Sequence, residues 1–251
     1  MSFKRLMEES ERRRGSNIIL ALDSVPPRSE GLLNSGLKIL EETYPYICAV
    51  KLNRHLVLPL GLHDGVKRII EKAHSLNLPV IMDCKINDIG YTNRVIAENY
   101  FDAGFDAVTA NPFVGWKDGL QPVFEAAKEM NRGVILLVYM SHKSSWEGYG
   151  QKIYDSETGE KKPQYIAFAE KALAWNADGA VVGGTYPEKI KEVHRVLKDD
   201  VPIYSPGIGA QGGDIKAAVS AGARYIIIGR AITLAEMPGQ AAKRFRNAVK
   251  T

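Results

Sequence analysis

Cysteine is scarce in this chain of 251 residues; Cys48 and Cys84 are its whole complement. Their spacing fits neither a paired metal motif nor a redox motif, and it excludes the disulfide framework of a small secreted domain. A reducing cytoplasm is the expected setting. Histidine is nearly as sparse. His55, His63, His74, His142 and His194 show no zinc-type spacing, so no metal is expected from them. His142 adjoins a predicted strand end, yet reads as a loop residue rather than a base. Long apolar runs are also missing: none approaches the roughly 18 residues that a bilayer-spanning helix needs. The first 16 residues are charged throughout and have no apolar stretch, so a secretory leader is not expected. Nor does one sign of charge dominate, because 33 Lys and Arg stand against 29 Asp and Glu. Arg12, Arg13 and Arg14 form a short basic run without interleaved aromatics. It reads as a solvated helix face, and no nucleic-acid partner is expected. The small positive balance weakly favours an anionic small molecule as ligand.

What the chain does have is regular alternation. Short runs rich in Val, Ile, Leu, Ala and Tyr recur at 17–23, 47–53, 79–85, 107–111, 133–140, 179–183, 202–205 and 225–228. Near-continuous apolar runs of this length are the pattern of parallel strands buried on both faces. Between them, stretches such as 64–76, 117–130, 165–176 and 187–197 repeat apolar residues every three to four positions, as amphipathic helices do. Eight such units in a chain of this length predict a closed (β/α)₈ TIM barrel, with residues 1–251 as one α/β domain. Residues 142–163 are polar and carry Gly148, Gly150 and Gly159. That is too long for a plain βα connection. The segment is either a surface insertion or a cover for the mouth of the barrel.

In barrels of this kind the C-terminal ends of the strands carry the chemistry. Here those ends are rich in charge. The first ends in Asp23, the second near Lys51 and Asn53, the third in Asp83 and Lys85 with Asp88 just beyond, and the fifth at Ser141. Strand ends around one rim point into one volume, and buried charges must be paired. Asp23, Lys51, Asp83 and Lys85 are therefore expected to alternate in a network. Asp83 and Lys85, two apart on a strand, face the same side. An ammonium held between carboxylates stays protonated. It is a poor Schiff-base nucleophile, but suits a developing carbanion as electrostatic partner and proton donor.

The seventh strand runs into Ser205-Pro206-Gly207-Ile208-Gly209-Ala210-Gln211-Gly212-Gly213, and the eighth ends at Gly229-Arg230. The glycines formally match G-x-G-x-x-G, but they follow the seventh strand and lead to Arg230 rather than to an acidic ribose ligand, which argues against a dinucleotide fold. The loops after strands seven and eight are the usual phosphate site of this barrel class. Backbone N–H groups of the glycine loop, Gln211 and the guanidinium fork of Arg230 suit a phosphate.

These residues resemble the orotidine 5′-phosphate decarboxylase family. The resemblance runs from Ile18 to about Ala235, on Leu20-Ala21-Leu22-Asp23, Val50-Lys51-Leu52-Asn53, Asp83-x-Lys85-x-x-Asp88-Ile89-x-x-Thr92, Met140-Ser141-His142, Val181-Val182-Gly183-Gly184-Thr185, the Ser205–Gly213 loop and Gly229-Arg230. It implies decarboxylation of orotidine 5′-monophosphate to UMP, the last step of de novo pyrimidine synthesis, with no cofactor. By the same resemblance Lys85 stabilises and protonates the C6 carbanion, Asp83 sits beside the departing carboxylate, Asp23 and Lys51 bind ribose hydroxyls, and Ser141 meets the pyrimidine edge. Gln211 and Arg230 hold the phosphate, with Pro206, Gly207 and Gly229 in the same two loops. The family shares its active sites across a homodimer, so Asp88 and Thr92 are expected in the partner's site. Gly90-Tyr91 departs from the family's usual Pro-Glu before Thr92, and residues 142–163 are longer than the archaeal-like pattern. Two other readings stay open: a Mg²⁺-dependent sugar-phosphate decarboxylase or aldolase of the same superfamily, and a non-catalytic nucleotide-binding barrel.

Overall fold

A computed structural model describes residues 1–23, 31–155, 158–209 and 211–250, with residue 250 described by its backbone alone. Eight strands form the barrel: β1 (Ile18–Ala21), β2 (Ala49–Asn53), β3 (Val80–Ile86), β4 (Ala107–Ala110), β5 (Gly133–Tyr139), β6 (Gly179–Val182), β7 (Ile203–Pro206) and β8 (Ala223–Ile228). Each pairs in parallel with its sequence neighbour, and β8 pairs with β1 to close the ring. The architecture is the expected (β/α)₈ barrel, with strand bounds within two residues of those read from the sequence.

Alternation within each strand divides the core in two. Ile18, Leu20 and Leu22 point outward to the helices, while Ile19 and Ala21 point into the barrel. In β5, Val134, Leu136 and Val138 face out and Ile135 and Leu137 face in. This is why the strands read as unbroken apolar runs. The lower interior is filled by Tyr204 and Tyr225, whose rings lie 4.8 Å apart. The helix Phe3–Arg14 closes that end, inserting Phe3 and Met7, both essentially unexposed. Burial of two such side chains contributes roughly 1.5–3 kcal/mol each. Gly133 makes the room: a Cβ there would lie 2.4 Å from the Phe3 ring. Arg12, Arg13 and Arg14 form the last turn of this helix, where cations favour the dipole.

Two helical stretches differ from expectation. The helix read over 64–76 is present as Val66–Ser75, but it is preceded by a short helix, Arg54–Leu60, and a wide turn at Gly61–Gly65 that were not expected. Pro59 lies inside the short helix, and Gly61 follows it at φ 73°. The region 117–130 opens with a wide turn at Trp116–Leu120, where Asp118 has φ 54°, and becomes regular only over Gln121–Glu129. The long polar segment after β5 contains the short helix Ser145–Gly148 and an antiparallel hairpin of Lys152–Tyr154 with Lys161–Pro163. Lys162 ties the hairpin to Asp155 and Glu170. No described residue of 142–163 lines the cavity described below.

Candidate active site

A cavity of about 300 Å³ opens at the C-terminal ends of the strands, opposite the plugged end. Strand register sets its charged wall. Ala21 on β1 lies beside Lys51 on β2, and Asn53 lies beside Asp83 on β3. Lys51 therefore sits one layer below Asp83, and its ammonium reaches both Asp23 Oδ2 and Asp83 Oδ2 at 2.8 Å. Lys85 donates to the other oxygen, Asp83 Oδ1, at 2.7 Å. The order Asp23–Lys51–Asp83–Lys85 is the alternation expected from the sequence. Burial works against charge on Lys51, but Asp83 and Asp23 outweigh it and hold the ammonium above its ordinary range. Burial likewise opposes charge on Asp83, yet Lys51 and Lys85 together hold its carboxyl well below the usual carboxylate range. Both groups stay ionised at neutral pH. Asp23 Oδ1 is buried and has no hydrogen-bond partner among the described residues.

The backbone at Lys85 is unusual. Its φ is 52°, and among the described residues it is the only non-glycine residue inside a strand with positive φ. A side chain in this region costs roughly 1–2 kcal/mol, so the surroundings must enforce it. Asp83 and Lys85 both face the cavity, as alternation predicts, but across an irregular stretch of β3 rather than a plain strand. Cys84 between them is turned into the core, where burial pushes its thiol up to about 12 and removes it as a nucleophile.

The opposite wall comes from β5, β7 and β8. Ser141 follows β5 and is gripped by two glycines. A Cβ on Gly183 would lie 2.6 Å from Ser141 Cα, and one on Gly207 would lie 2.9 Å from Ser141 Cβ. Gly207, Gly209 and Gly212 all have positive φ, and the loop closes on itself through Gly209 N–H to the Gly213 carbonyl at 3.1 Å. The N–H groups of Gly212 and Gly213 are likewise spent inside the loop, on the carbonyls of Gly209 and Gly207, so the donors it turns to the cavity are those of side chains. Gln211 and Arg230, both exposed, line the cavity beside it.

Ten of the twelve expected site residues thus line one cavity: Asp23, Lys51, Asp83, Lys85, Ser141, Pro206, Gly207, Gln211, Gly229 and Arg230. Asp88 and Thr92 do not. They stand exposed on the rim, Asp88 in a turn held by Asn93 and Thr92 in the first turn of the helix Gly90–Asp102. The buried Asn93 amide accepts from Asp88 N–H at 2.9 Å and donates to the carbonyls of Asp88 and Gly119. Gly90, which departs from the family's usual residue, has a packing reason. Any Cβ there would lie 3.2 Å from the Asp118 carbonyl oxygen. Sequence reading missed Thr109 on β4 and His55, both of which line the cavity. Thr109 is a polar residue in an otherwise apolar strand, which was the available signal. His55, whose Nε2 lies 2.5 Å from the Asp23 carbonyl, carried none.

Comparison with known proteins agrees with this geometry. Residues 16–245 match the model of the "Orotidine 5′-phosphate decarboxylase / HUMPS family". The chain belongs to this family. It is 35% identical over 237 residues to an orotidine 5′-phosphate decarboxylase from Methanosarcina acetivorans, covering 94% of this chain and 96% of the relative. The corresponding enzyme from Pyrococcus furiosus is 38% identical over 233 residues, covering 93% and 97%. Among solved structures, orotidine 5′-monophosphate decarboxylase from Methanocaldococcus jannaschii, complexed with the inhibitor BMP, superposes with a TM-score of 0.79 at 30% identity, over 94% of this chain and 99% of that one. That from Pyrococcus horikoshii gives 0.76 at 35% identity, over 93% and 99%. The family therefore reaches this chain over the whole barrel, not over one motif.

Proposed function

We propose that Lys85 is the electrostatic and proton-donating centre of the reaction this chain performs as an orotidine 5′-phosphate decarboxylase: conversion of orotidine 5′-monophosphate to UMP and CO₂ in UMP biosynthesis. The observation that carries this reading is one ammonium, Lys85 Nζ, fixed at 2.7 Å from a buried carboxylate at the reacting end of a cavity whose rim holds Gln211 and Arg230. The C6–carboxylate bond breaks, and its electron pair stays at C6 in an orbital the ring delocalises poorly. No electron sink is required of a cofactor if the protein supplies the field. Lys85 gives its proton to C6 and is reprotonated from solvent. Asp83 faces the departing carboxylate, and Lys51 holds Asp83 ionised.

The remaining roles follow the donors and acceptors present. The unpartnered Asp23 Oδ1 suits a ribose hydroxyl, with Lys51 beside it. Ser141 addresses the pyrimidine edge, and Gln211, Arg230 and the loops holding Pro206, Gly207 and Gly229 take the phosphate. Asp88 and Thr92 act in the site of a second copy of this chain. Their exposure on the rim supports this, as do the exposed Ile89, Tyr91 and Phe113, at 73%, 82% and 71%. Apolar surface of that kind at a site's edge suits an isologous dimer contact. Lys85 has one carboxylate in its own chain, and Asp88 of a second copy would supply another. We take the chain as one barrel domain, on the closed ring of β1–β8 and the packing of the Phe3–Arg14 helix beneath it. Two free, buried cysteines accord with the cytoplasm. Among the described residues no helix is long and apolar enough to cross a membrane.

The test is Lys85→Ala. Turnover of orotidine 5′-monophosphate should vanish while UMP still binds, and near-normal turnover would remove Lys85 from its role. Wild-type activity should survive excess EDTA. Loss that Mg²⁺ restores would favour a metal-dependent reaction instead.

A further inference from the structure

We infer that Thr109 is a positioning residue for the decarboxylation: its hydroxyl clamps the left-handed backbone of Lys85 to the carboxylate of Asp83. The inference rests on the reading of Lys85 above and extends it to the neighbouring strand. From Met82↔Val108 to Ile86↔Ala110, β3 advances four residues while β4 advances two. Ladder hydrogen bonds cannot continue across that mismatch. At this break the Lys85 N–H donates to Thr109 Oγ1 at 2.9 Å, so a side-chain oxygen replaces the missing backbone acceptor.

That bond also fixes the direction of the hydroxyl. Because its oxygen accepts from Lys85 N–H, its own hydrogen is free for Asp83 Oδ1, 3.0 Å away. The same Asp83 oxygen accepts from Lys85 Nζ at 2.7 Å. One hydroxyl thus closes a ring running from the Lys85 backbone through Asp83 to the Lys85 ammonium. Thr109 is 3% exposed, so solvent does not stand in for it. Lys85 has a flexible four-carbon stem, and a small error at its Cα is carried to Nζ. Fixing both ends of the lysine against one carboxylate removes that freedom. Valine has the shape of threonine but neither accepts nor donates, whereas serine keeps both functions.

Thr109→Val, Thr109→Ser and Lys85→Ala should be compared with wild type for turnover, for KM and for UMP affinity. Thr109→Val should lower kcat about 10- to 100-fold with KM and UMP affinity within about threefold, and Thr109→Ser should recover kcat to within about threefold. In the unmodified protein, NMR amide exchange at Lys85 should be as slow as at its strand neighbours, a measurement that holds even if Thr109→Val does not fold. Wild-type kcat in Thr109→Val beside an inactive Lys85→Ala would overturn this inference alone. Equal impairment of the Ser and Val variants would do the same, as would fast exchange at Lys85. An active Lys85→Ala would instead overturn the reading on which the inference stands.

Discussion

Asp83→Asn perturbs the charge network at its most heavily used point. The carboxylate accepts four hydrogen bonds: Lys85 Nζ and Thr109 Oγ1 on Oδ1, Lys51 Nζ and Asn53 Nδ2 on Oδ2. Asparagine offers one carbonyl oxygen, and its NH₂ group would face donors on the other side. At least one ammonium then loses its counter-charge. Removing one partner of a buried ion pair costs about 3–5 kcal/mol. Two features reduce this: the Lys85 side chain is 27% exposed, and Lys51 keeps Asp23. A loss of about 2–4 kcal/mol is expected, which for a chain of this size lowers Tm by about 5–15 °C. The pH dependence separates charge from packing. Because Asp83 is depressed in the folded protein, its contribution is complete above the unfolded value of about 3.9 and is lost as pH falls toward the folded one. Lys51 is raised, so its contribution persists below about pH 10.4 and does not change in the acid range. Thermal unfolding of both proteins from pH 8 to pH 3 should show a constant Tm gap down to about pH 5 that narrows below about pH 4. Equal Tm at pH 7, or a gap that widens in acid, would refute the reasoning.

Arg230→Ala should raise KM more than it lowers kcat, because an exposed guanidinium at the rim is remote from the reacting carbon; steady-state kinetics with unchanged KM would contradict the phosphate assignment. Gly179→Ala would set a Cβ 2.3 Å from the buried Tyr204 ring, and overpacking of that kind costs about 1–3 kcal/mol; an unchanged urea midpoint would show that the barrel floor gives way more easily than its packing indicates. Lys85→Ala and Asp88→Asn, each inactive alone, should regain activity when unfolded together and refolded, with about a quarter of the sites native by random pairing. No recovery from the mixture would count against Asp88 acting across a dimer.

The barrel and most of the site were legible because both follow from short-range rules. A parallel strand buried on two faces is apolar throughout, so β1 to β8 stand out wherever turn residues interrupt them. A charge at the end of such a strand has one place to point, and Asp23, Lys51, Asp83 and Lys85 converge for that reason. The Phe3–Arg14 helix was harder. Its charges dominate its composition, and only Phe3 and Met7, four apart on one face, show that it packs beneath the barrel. The break at Asp118 depends on a positive φ value that amphipathic periodicity does not register. Thr109 stood out as polar in an apolar strand, but what it does lay out of reach for a related cause. Its role arises from a mismatch between two strands, and periodicity within either strand carries no record of the other. Asp88 is a different case: motif and resemblance mark it, but one chain leaves it outside the cavity, and on the function proposed above it would serve a second copy.

The two ends of the cavity also differ in how they are built, and the difference bears on catalysis. Lys51, Asp83 and Lys85 stand on barrel strands, with Lys85 held further by backbone and side-chain hydrogen bonds. Gln211 and Arg230 stand beyond the ends of β7 and β8, exposed, one of them in a loop with three positive-φ glycines. Electrostatic stabilisation of a carbanion works only if the field is in place before the charge develops, which demands the rigid end. A phosphate is fully charged throughout the reaction and needs no such precision. Its contacts can sit on adaptable backbone, and their binding energy can drive closure around the substrate and organise the reacting end. On this reasoning, substitutions at the loop end should be rescued in part by higher substrate concentration, while those at Lys85, Asp83 or Thr109 should not. A Lys85 or Asp83 variant that saturating substrate restores to full rate would show that the strand end binds the ground state rather than the transition state.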